Sequence, residues 1–107
     1  MAIFSIFNSI QPFKKQVDLT KTVMDRLAPP DYDDANKTEE FRLMLWDSWH
    51  NDIRYIIICL MQGGQDHQMK MAKMLVDHMK LMTSRAREHI EIKDDPLMPQ
   101  IENLLLK

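Results

Sequence analysis

The sequence predicts an all-α protein. The 107-residue chain has only two glycines, adjacent at Gly63-Gly64. The long stretches on either side of that pair repeat apolar residues at helical spacing. No segment shows the strict alternation and frequent turn signals of a β fold.

Element by element, the opening segment 2–13 sets Ile3, Ile6, Phe7 and Ile10 on one face and ends at Gln11-Pro12. A short helix is expected over about 18–28, starting at Asp18, with Val17, Thr20, Met24 and Leu27 along one stripe and Pro29-Pro30 as its stop. Residues 29–36 are acidic and turn-rich and read as a linker over the surface. Asn36, three residues before Glu39, reads as a capping-box-like start for a long helix over about 37–62. Its apolar face is Phe41, Leu45, Trp49, Ile53, Ile56 and Leu60, while Asp47, Asn51 and Arg54 face away and Ile58 interrupts the polar side. Gly63-Gly64 closes that helix and Asp66 lies at the start of the next, over about 65–92. So short a joint predicts a long antiparallel helical hairpin, each arm roughly 40 Å long. A last helix over about 96–106 is marked by Asp95 before Pro96, with Leu97, Ile101, Leu104 and Leu105 as its stripe and Pro99 in its first turn. The whole is expected to be a small helical bundle, the hairpin flanked by shorter helices.

Composition narrows the class. With 45% hydrophobic and 28% charged residues, the chain reads as a single domain over 1–107. A net charge of −2 and a pI near 6.0 supply no basic field, which disfavours nucleic acid as a partner. The single cysteine, Cys59, excludes an intrachain disulfide, and the N-terminus does not read as a cleavable leader, so a cytoplasmic location is expected. The apolar run Tyr55 to Met61 falls far short of the roughly 20 residues that cross a bilayer.

The helix after the glycines has a narrow polar side: Lys70, Lys73, Asp77, Lys80, Ser84, Arg87, Glu88 and Glu91. The rest of its circumference is apolar or histidine, with His67, Met71, Met74, His78, Met82 and His89 flanked by Met69 and Met79. A helix covering one side of a small bundle needs an apolar stripe of only about 100° or a little more. The excess predicts association, first with a second copy. Met71, Met74, Met79 and Met82, opposed by Trp46 and Trp49, are the expected partner contacts, since methionine re-packs readily and tryptophan is enriched at binding hot spots. The functional expectation is a non-enzymatic interaction module: an adaptor, a chaperone-like protein or an inhibitor.

Two other chemistries compete with this expectation. His67, His78 and His89 recur every 11 residues, which separates successive rings by roughly 16 Å, too far to share one ion. Groups four apart do meet, so Met74, His78 and Met82, joined by Cys59 from the preceding helix, form an alternative soft set for monovalent copper. A carboxylate-bridged pair would need Glu-x-x-His elements, and none occurs. Thr83-Ser84-Arg85 followed by His89 resembles the haem-ligand region of the small four-helix b-type cytochromes, although no matching methionine ligand can be assigned on another helix. No cofactor is expected on balance. Cys59 in its isoleucine run reads as apolar filler, and Ser48 and His50 point in different directions, so no nucleophile is armed and no enzyme is predicted. The segment Ile3 to Ile10 before Lys14-Lys15 is an alternative surface anchor for a membrane, but its own polar side lacks basic residues.

Overall fold

Thr38, rather than Asn36, opens the first long helix. Its Oγ1 accepts the Phe41 amide at 3.1 Å, and the acidic Glu39 and Glu40 sit in the first turn against the helix dipole. Asn36 lies two residues too early, where its amide is held by the Asp34 carboxylate at 2.9 Å in a local turn that competes with helix. The computed structural model describes residues 23–106, and among these all regular structure is helical. We name the helices α1 (Glu39–Gly63), α2 (Asp66–Ala86) and α3 (Leu97–Leu105). Residues 23–25 are helical too, within the short helix expected over 18–28. The segment 2–13 and the start of that short helix lie outside the described residues.

Gly64 ends α1 in the left-handed conformation, φ 71°, and its amide returns to the Leu60 carbonyl at 3.3 Å. A side chain there would be strained, which explains the glycine. After Gln65, whose amide is bonded by the Gln68 side chain at 3.3 Å, α2 begins at once. The two long helices pack on each other, with Trp49 of α1 beside His78 of α2 at 6.4 Å between ring centroids. Trp46, Ile53, Ile57 and Leu60 of α1 and Leu75 and Met79 of α2 are almost fully buried. Each such side chain contributes roughly 1.5 to 3 kcal/mol through burial.

α2 is shorter than its periodicity suggests. It stops at Ala86, and the chain turns through 87–90, with the amides of His89 and Ile90 both returning to the Ala86 carbonyl at 2.9 Å. Ile90 still enters the core, only 2% exposed. It sits four residues after the buried Ala86, the spacing a continued helix would also give, and no glycine or proline marks the stop. An irregular stretch over 91–95 then leads to α3, where the Asp95 carboxylate accepts the Leu97 amide at 2.9 Å. The inner line of α3 runs through Met98, Ile101 and Leu105, so Leu97 and Leu104 stay exposed on the other side of Ile101. On α1, Phe41 is exposed although it was expected inside, and Ile58, expected on the polar side, is buried. No helix of the described residues is long and apolar enough to cross a membrane.

Candidate interaction surfaces

The methionines of α2 sort by their position round the helix. Met79 and Met82 lie in the core, at 1% and 9% exposure, and Met71 is half-buried against it. Met74 is 69% exposed, and Leu81, seven residues on and therefore on the same line of the helix, is 49% exposed. His67 is exposed on that line as well. The apolar arc of α2 is thus covered over Ala72, Leu75, Val76, Met79, Met82 and Ala86, and its edge at Met74 and Leu81 is left uncovered. Trp46 and Trp49, the other expected contacts, are core residues of the single chain.

What covers the tryptophans is the segment 26–34, made of the end of the stretch expected as a short helix, which has already left the helix at Arg26, and the start of the stretch read as a linker. The Trp49 indole Nε1 donates to the Arg26 carbonyl at 2.8 Å, His78 Nε2 donates to the Leu27 carbonyl at 2.6 Å, and an Arg42 guanidinium nitrogen donates to the Tyr32 carbonyl at 2.9 Å. Tyr32 sets its ring edge-on to Trp46, centroids 5.9 Å apart, and also lies 5.6 Å from the His89 ring. His89 Nδ1 in turn meets the Asp33 carboxylate at 3.0 Å. Beneath this strap the Trp46 indole nitrogen is buried without a hydrogen-bond partner among the described residues. Acidity and turn residues suggested only a solvated connection; the single signal of packing was Tyr32, a lone aromatic among aspartates.

These contacts bear on the alternative sites. His78 Nε2 is engaged by a backbone carbonyl, Met74 faces solvent, and Cys59 is buried in α1, so the soft-metal set is not gathered on one surface. Among the described residues no group of three or more His, Cys, Asp or Glu side chains is placed to hold a metal ion. His89 lies in the turn beyond α2 and pairs with Asp33, whereas the cytochrome resemblance needs it on the helix.

A second polar cluster was not foreseen. His50 Nε2 donates to Asp95 Oδ2 at 2.8 Å, Arg54 donates to the same oxygen, and both come from α1. Burial alone would raise the pKa of Asp95, but the hydrogen bonds from His50 and the Leu97 amide, with the Arg54 charge, outweigh it and hold the carboxyl below the ordinary aspartate value. His50 and Asp95 border a cleft of about 650 Å³ that also meets Thr83, Ser84, Lys80 and Glu102. Lys80 and Glu102 pair there at 3.1 Å, and Asp95 joins the loop before α3 to α1, so the cluster's evident work is to tie three helices together. No local motif marks it, because the partner carboxylate lies 45 residues from His50 in sequence. Comparison with protein-family models, curated proteins and solved structures finds nothing that matches this chain.

Proposed function

We propose that this protein is a non-enzymatic helical interaction module, with α1 and α2 forming an antiparallel hairpin that presents an apolar line to a second copy of the chain. The observation that carries the reading is the exposure of Met74 and Leu81 on one line of a helix whose other large aliphatic residues are covered. Two-fold pairing of α2 about its middle sets Met74 of each copy against Leu81 of the other, a self-complementary contact. The exposed Met74 supplies the adaptable side chain that such a surface uses to re-pack. Adaptor, chaperone-like and inhibitory roles all follow from this surface chemistry, and the single cysteine fits a reducing, cytoplasmic setting.

Concentration tests the reading. Dimerisation stabilises the folded state by mass action, so the thermal midpoint rises with protein concentration. The Met74→Asp, Leu81→Asp variant is expected to lose that dependence while keeping its helical circular dichroism. A midpoint that does not depend on concentration in the unmodified chain rejects the dimer.

A further inference from the structure

The cleft bordered by α2, the 91–95 stretch and the start of α3 is not filled by the ties that cross it. It encloses about 650 Å³, within the range of roughly 300 to 1,000 Å³ that small-molecule pockets occupy. Part of its lining is apolar: Ile92 and Met98 rest half-buried on the core, and Pro96 and Pro99 are exposed beside them. A methionine in such a lining re-packs readily around an apolar body.

The rest of the lining is polar, and its charges do not balance. Lys80, Arg87 and Lys93 all border the cleft. Lys80 is met by Glu102 at 3.1 Å and Arg87 by Asp94 at 2.6 Å, while Asp95 is taken by His50 and Arg54. Lys93 has no ion-pair partner among the described residues, so one positive charge at the cleft is unanswered. Arg87 is only loosely committed, since Asp94 is 94% exposed and exposed ion pairs contribute little. Thr83 and Ser84 add two hydroxyls that form no hydrogen bond among the described residues, and each has a proton to donate. An anion in this cleft meets one free cation, a second that is weakly held and two free donors, and hydrogen bonds to a charged group are the stronger kind.

We propose that this cleft binds a small apolar molecule carrying one anionic group, its body on Ile92 and Met98 and its anion on Lys93 with the hydroxyls of Thr83 and Ser84. Carboxylate, phosphate and sulfonate share the required chemistry. The site lies apart from the Met74–Leu81 edge and stands whether or not that edge associates.

The test uses the full chain and two fluorescent probes that differ by one group: anilinonaphthalene sulfonate, apolar and anionic, and phenylnaphthylamine, the same body without the sulfonate. The sulfonate probe is expected to bind one site per chain with a dissociation constant of about 0.1 mM or tighter. The uncharged probe should bind about tenfold more weakly, the loss of one charge-assisted contact. Lys93→Glu should weaken the sulfonate probe by about tenfold or more. Asp94→Ala releases Arg87 and should tighten it about threefold. Lys70→Glu, the same charge reversal elsewhere on α2, and Met74→Asp should leave the constant unchanged, which separates the cleft from a general charge effect and from the uncovered edge of α2. Octanoate and octyl phosphate should each displace the probe, and the tighter of the two identifies the head group. Should Lys93→Glu lose its helical circular dichroism, Lys93→Gln decides. Absence of binding to the folded chain at about 1 mM probe overturns the proposal, as does equal binding of the uncharged probe. Binding that Met74→Asp abolishes and Lys93→Glu leaves intact places the probe on the α2 edge and overturns the site.

Discussion

Asp95 accepts from His50, Arg54 and the Leu97 amide, and its side chain is only 12% exposed. Replacing it with asparagine removes the charge that two of these donors meet, and hydrogen bonds to charged groups are worth about 1.5 to 3 kcal/mol. Asp95→Asn is therefore expected to lower stability by about 2 kcal/mol in urea unfolding near neutral pH. The sign of the pH dependence follows from the depressed pKa. The unfolded chain takes up the proton first as pH falls, so the stability that Asp95 contributes is complete above about 3.9 and is lost as pH drops through the lower folded value. The gap between the unmodified chain and Asp95→Asn should accordingly close on acidification below about pH 4; a gap that widens contradicts the assignment. The α2 methionines give a second residue-scale contrast. Met79→Ala empties a site that is 1% exposed and should cost about 3 kcal/mol, while Met74→Ala, at 69% exposed in the single chain, should stay within about 0.5 when stability is measured at a concentration too low for chains to pair.

Helix ends show where element boundaries are written locally and where they are not. Gly63-Gly64 and Asp95-Pro96 were legible because a left-handed closure and a carboxylate before a first turn need those residue types at those places. The start of α1 was misread by two residues, since Asn36 and Thr38 both suit a cap and only the competing Asp34 turn decides between them. Thr38→Ala should destabilise the protein by about 1 kcal/mol and Asn36→Ala by less than about 0.5, a difference that chemical denaturation resolves. Gly64→Ala is expected to cost about 1 kcal/mol because of its positive φ. The end of α2 was not legible at all: Ile90 keeps helical spacing from Ala86 although the backbone has already turned, so the apolar pattern runs past the helix that carries it.

At the scale of the whole molecule, the all-helical class and the existence of three of its helices could be read from periodicity, because each buries one face against its neighbours. The site was read less well. The wheel of α2 made its apolar arc look broader than a small bundle needs, and burial divides that arc into a covered centre and the uncovered edge at Met74 and Leu81. Trp46 and Trp49 of α1 belong to the core as well, and the strap that hides them is fixed by carbonyl acceptors that every residue possesses and that no motif can reveal. Long-range polar ties such as His50 to Asp95 are invisible for a similar reason: the partners are common residues brought together only by the fold. On the proposed reading, the uncovered edge of α2 is used by a second chain. Sedimentation equilibrium measures this most directly: the mass should rise with concentration toward twice 12.7 kDa, with Met74→Asp, Leu81→Asp held at the single-chain mass. A mass that stays at 12.7 kDa for the unmodified chain up to about 1 mM, where even an interface of about −4 kcal/mol would show, contradicts it.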